Sequence, residues 1–198
     1  MVGDVTESAF GCTTVPINDC PSGVTISSPE TTTWYREFAL PDFAGAPWNV
    51  NGAFQITSVH FGCWMSNADA SVTISVYDYT GALYGPTLDT LPPPISSVTA
   101  TIGPSQVFTC TDDVDVPITA AIAAGSAFVV GISAVDTVHD TGSPPCTITF
   151  AFRLGANGSG ESCGSQSCGS YVDAWCNSGS ATVWTTNDAV LAVEGTTN

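Results

Sequence analysis

Apolar residues recur at every second position through much of the chain, a period that belongs to half-buried β-strands rather than to helices. In residues 71–77, Val72, Ile74 and Val76 fall on one face, and Thr73, Ser75 and Tyr77 on the other. Residues 147–154 repeat the pattern, with Ile148, Phe150, Phe152 and Leu154 inward and Arg153 outward. Residues 34–40, 54–63, 98–102, 106–110, 127–135 and 189–194 read as further strands. Between Ile56 and Val59 the apolar phase slips, which predicts a β-bulge and leaves His60 pointing outward. Residues 118–124 have some helical character, but Pro117 before them and Gly125 after them leave too little length for a helix, so they too are read as a strand.

Turn-forming Gly, Pro, Asn and Asp separate these runs at short intervals, as at residues 42–47, 79–81, 91–94 and 142–145. Many short strands with frequent turns predict an all-β fold: an antiparallel β-sandwich, jelly-roll-like and stapled by disulfides. Two segments stand apart. Residues 1–30 form an N-terminal extension closed by Cys12 and Cys20, and residues 31–198 form the sandwich domain, with a Gly/Ser/Cys-rich loop at 155–180. No run of apolar residues is long enough to span a bilayer.

Composition sharpens the picture. The chain of 198 residues has eight cysteines and no lysine, Arg36 and Arg153 are its only arginines, and its net charge is -16. Eight cysteines in a polar, strand-forming chain point to an oxidising, extracellular compartment, and Cys12, Cys20, Cys63, Cys110, Cys146, Cys163, Cys168 and Cys176 are all expected to be paired. Residues 1–5 carry no basic stretch and no apolar run of a secretory leader, so either the numbering starts at a mature or cloned boundary, the reading the cysteines favour, or export uses another route. So few cations rule out phosphate neutralisation, and with it nucleic acid as a partner, and repel anionic membranes. With only 10% charged residues, neutral Thr and Ser hydroxyls cover the surface.

Candidate chemistry is sparse. Gly160-Glu161-Ser162-Cys163-Gly164 matches the nucleophile elbow of α/β-hydrolases, but it lies in a Gly/Ser/Cys-rich loop without a following helix, and His60 and His139 are the only bases at hand. Cys163, Cys168 and Cys176 lack the CxxC spacing of zinc knuckles. Asp112, Asp113 and Asp115 crowd three carboxylates into one loop, the donor chemistry of a structural calcium, with a solvated acidic turn as the alternative. Arg36 shares a face with Trp34, Phe38 and Leu40 and reads as a buried ion-pair partner. Trp48, Tyr171 and Trp175 sit in turn-rich polar context, where exposed rings suit sugar stacking or peptide contact.

Several segments resemble a β-sandwich accessory domain found in large secreted bacterial proteins. They are Trp34-Tyr35-Arg36-Glu37-Phe38-Ala39-Leu40, Ile56-Thr57-Ser58-Val59-His60-Phe61-Gly62, Val72-Thr73-Ile74-Ser75-Val76-Tyr77, Val116-Pro117-Ile118-Thr119-Ala120 with Ala124-Gly125-Ser126, and Val190-Leu191-Ala192-Val193-Glu194-Gly195. The resemblance covers about residues 30–196 and implies a non-catalytic adhesion, binding or accessory module. The expectation is therefore a secreted, non-enzymatic surface module that binds a neutral glycan or a protein surface. The alternative is a subunit that assembles with itself into a filament or coat, its N-terminal segment adding a strand to a neighbour's sheet.

Overall fold

β-Branched and aromatic residues at alternate positions give each strand one face that must leave water, and two sheets supply the partners for those faces. The structure, a computed structural model, describes residues 2–5, 30–45, 48–66, 69–83, 88–103, 113–136, 138–139, 148–149, 152–154, 156–157, 170–173, 182–183, 188–189 and 191–197. In chain order the strands are β1 (Val2–Val5), β2 (Glu30–Ala39), β3 (Phe54–Ser66), β4 (Ala70–Tyr79), β5 (Ser96–Ile102), β6 (Asp113–Ile122), β7 (Ala127–Asp136) and β8 (Val138–His139). They continue with β9 (Ile148–Thr149), β10 (Phe152–Leu154), β11 (Ala156–Asn157), β12 (Ser170–Asp173), β13 (Thr182–Val183), β14 (Asp188–Ala189) and β15 (Leu191–Thr197). One 3-10 turn, Leu40–Phe43, follows β2, started by Pro41 in its first turn. Among the described residues no helix is long and apolar enough to cross a membrane.

All strand pairs are antiparallel. A six-stranded sheet runs β13-β12-β2-β7-β4-β5, and a five-stranded sheet runs β1-β15-β3-β10, with β6 beside β3. One apolar core draws on both. Trp34, Phe38, Val72, Ile74, Val76, Phe128, Val130 and Ile132 come from the first sheet, and Phe54, Ile56, Val59, Phe61, Val116, Ile118 and Val193 from the second. The bulge expected between Ile56 and Val59 is present. Ser58 pairs with Pro117 and Ile56 with Ala120, so the register slips at Thr57, and Pro117 sits where the ladder is already interrupted.

Two expectations need correction. Residues 147–154 are not one strand: Ile148–Thr149 pairs with Val138–His139, whereas Phe152–Leu154 joins β3 opposite Ser66, Met65 and Cys63. Alternation reports a pleat but not its partner, and here one alternating run serves two sheets. Asp113 and Asp115 are not in a loop either. They open β6, opposite Gly62 and His60.

Candidate functional site

The slipped phase of β3 turns Ser58 and His60 to the outer face of the five-stranded sheet. There Ser58 lies opposite Glu194 of β15, and His60 opposite Asp115 of β6. Ser58 Oγ is 3.0 Å from His60 Nε2 and donates to Glu194 Oε2 at 3.3 Å. His60 Nε2 is also 3.3 Å from Glu194 Oε2 and 3.6 Å from Asp115 Oδ1. The imidazole thus answers two carboxylates in a chain without lysine. Hydroxyl and acids all approach the same nitrogen, Nε2. Among the described residues no group of three His, Cys, Asp or Glu side chains is arranged to hold a metal ion.

The outer face of the six-stranded sheet is built differently. Thr33, Ser133, Thr73 and Thr99 stand opposite one another across four strands. Thr33 shares a hydrogen bond of 2.8 Å with Ser133, and Thr73 one of 3.1 Å with Thr99. In the next row Tyr35, Gly131, Ser75 and Ser97 are opposed, with Ser75 and Ser97 hydrogen-bonded at 3.0 Å. Across β2, β7, β4 and β5 neither row carries a charged residue, whereas on β12 the first row continues to Asp173, opposite Thr33. Further along the same face Glu37, Ala39, Val129 and Tyr79 are all buried.

Tyr79 closes that buried end. Its hydroxyl donates to the Ala82 carbonyl at 3.1 Å, and the Ala82 amide donates to Asp89 Oδ2 at 3.0 Å, tying down the chain that follows β4. Burial first, and then the Glu37 carboxylate beside it, push the Tyr79 phenol from 10.0 up to about 12. The folded protein therefore keeps a proton that the unfolded chain releases near pH 10. The stability from this group is complete below pH 10 and is lost as the pH climbs toward about 12, an effect on the order of 2 kcal/mol. Urea midpoints of the wild type are expected to fall more steeply across that window than those of Tyr79→Phe. Parallel declines would refute the assignment.

Of the three ligand-binding residues expected from sequence, two lie among the described residues. Trp48 is half-buried, set edge-on to Phe43 at 5.6 Å and packed against the core. Tyr171 lies in β12, opposite Tyr35. Trp175 lies outside the described residues, as do Asp112, His139's neighbour Asp140, and the Gly160–Gly164 motif. Of the cysteines, Cys63 lies in β3 opposite Leu154, while Cys12, Cys20, Cys110, Cys146, Cys163, Cys168 and Cys176 fall outside the described residues. Arg36 is buried on the inner face, its guanidinium 5.8 Å from the centre of the Phe38 ring.

Sequence reading did not single out Ser58, Glu194, Tyr35 or Tyr77 as functional. Alternation could have assigned each to an outer face, but the partners come from strands far apart in the chain. No family model, curated protein or solved structure matches the chain.

Proposed function

We propose that the protein is a non-enzymatic module of jelly-roll-like β-sandwich form that works outside the cell and binds a neutral glycan. The observation that carries this reading is the outer face of the six-stranded sheet across β2, β7, β4 and β5, where the Thr33 and Tyr35 rows offer paired hydroxyls and the Tyr35 ring without a charge. Each hydroxyl has one proton and two lone pairs, so a cross-strand pair spends one of each and still offers lone pairs to a ligand. Such a surface matches an uncharged polyol. It gives an anion nothing to pair with, and the net charge of -16 repels one.

A specific observation favours assembly as a second reading. β1 already adds a strand to the edge of its own sheet, with Val2 opposite Thr196 and Val5 opposite Val193. The same strand offered to a second copy would extend a sheet between molecules. A glycan array at low and high salt, run beside light scattering, tests both readings. The expected result is a monomer that binds neutral glycans with little salt dependence. Growth into fibres by protein that binds no glycan would replace the binding reading with assembly.

A further inference from the structure

Tyr35 of β2 and Tyr77 of β4 flank β7 on the outer face, and beneath them lies Gly131. Their ring centroids are 6.4 Å apart and the planes are tilted by 60°. A Cβ at residue 131 would lie 3.0 Å from Tyr35 Cδ1 and Cε1 and 3.3 Å from Tyr77 Cε2. Both rings therefore rest on bare backbone, and the missing side chain is what lets them settle there. Tyr35 is opposite Gly131, and Tyr77 is opposite Val129 in the next row, so the two rings meet diagonally across β7. The hydroxyl row of Thr33, Ser133, Thr73 and Thr99 lies about 7 Å from Tyr35 along β2 and about 13 Å from Tyr77 along β4, one and two alternate positions of a strand.

The geometry points to a linear, uncharged polysaccharide crossing β2, β7 and β4, with neighbouring sugar rings on Tyr35 and Tyr77 and its hydroxyls turned to the Thr/Ser row. This inference rests on the glycan reading above and adds the ligand's shape, path and contacts. A pyranose presents C–H groups on its flat face and hydroxyls around its rim. The flat face stacks on the electron-rich face of a tyrosine ring, and the rim meets donors and acceptors beside the ring. The two ring centroids, 6.4 Å apart across β7, are close enough to take neighbouring sugars of one chain. The 60° tilt fits a chain that turns from one ring to the next, and it misfits a crystalline surface whose rings share one plane. A protein partner is disfavoured because its binding energy would concentrate in anchors sunk into pockets, whereas these rings lie down on a sheet.

The test is calorimetric titration of the whole chain with linear gluco-, xylo- and manno-oligosaccharides of increasing length, from the monosaccharide upward. Affinity is expected to climb with each added sugar and level off once both tyrosines are covered. Tyr77→Ala and Tyr35→Ala should each weaken binding of the longer oligosaccharides by about tenfold or more, whereas Tyr77→Phe, which keeps the ring, should stay within about twofold. Gly131→Val, which lifts both rings, should act like the alanine variants while retaining a cooperative unfolding transition. Wild-type binding that ignores chain length, or survives Tyr77→Ala within about twofold, overturns the tyrosine-pair platform and leaves the glycan reading standing. Absence of wild-type binding to every oligosaccharide and every arrayed glycan overturns both.

Discussion

Phe128→Ala is expected to cost the fold about 3–5 kcal/mol, the range for emptying a buried aromatic site, and to lower the melting temperature by roughly 6–20 °C. Phe128 is 1% exposed, lies directly opposite Phe38 on β2, and stacks on it with ring centroids 5.0 Å apart and planes 13° from parallel. Phe38 in turn carries the Arg36 guanidinium on one side and touches Phe43, which meets Trp48 edge-on. Removing Phe128 therefore opens a void at the end of an aromatic chain that seats a buried cation and anchors the turn after β2. Phe128→Leu, which keeps most of the volume, should cost about 1 kcal/mol. Urea denaturation followed by tryptophan fluorescence separates the two. A loss below about 1 kcal/mol for the alanine variant would mean that the stack does not hold this end of the core.

How much of this was legible in the sequence divides along one line: faces could be read and neighbours could not. The alternation at Val72, Ile74 and Val76 gave β4 its inner face, and all three are buried. The phase slip before Val59 located the bulge at Thr57 and turned His60 outward. Neither observation says that Asp115 and Glu194 arrive on either side of that histidine, because β6 and β15 are chosen by packing of whole sheets. Tyr35 and Tyr77 show the same limit. Each sits at an outward position, yet only the order β2-β7-β4 brings them together, and only a glycine at 131 lets them settle on the backbone. The tryptophan chosen for its turn-rich context, Trp48, has Phe43 as its partner and packs against the core, since polar neighbours in sequence do not keep a large ring in water.

A second glycine under an aromatic ring yields the other large effect. Gly195 of β15 lies opposite Ile56, just past the register shift between Glu194 and Gly195. A Cβ there would meet the Gln55 carbonyl oxygen and lie 2.6 Å from Phe54 Cζ. The Phe54 ring has room to tilt only at the expense of a core in which it is 1% exposed, and the carbonyl belongs to the backbone of β3. Gly195→Ala should therefore push β15 away from β3 at the bulge. That would strain the bond from Thr57 Oγ1 to the Glu194 carbonyl at 3.3 Å, and with it the contacts of Ser58 and His60 to the Glu194 carboxylate. The expected loss is about 3 kcal/mol, or roughly 6–12 °C in melting temperature. Two other glycines calibrate the result. Gly125 has φ 71° with open space around it, so alanine there should cost about 1 kcal/mol through backbone conformation alone. Gly45 has open space and an ordinary φ, so alanine there should be neutral or slightly stabilising. If Gly195→Ala ranks with Gly45→Ala in calorimetry, the close approach of β15 to β3 at the bulge is wrong, and the placement of Glu194 beside Ser58 and His60 goes with it.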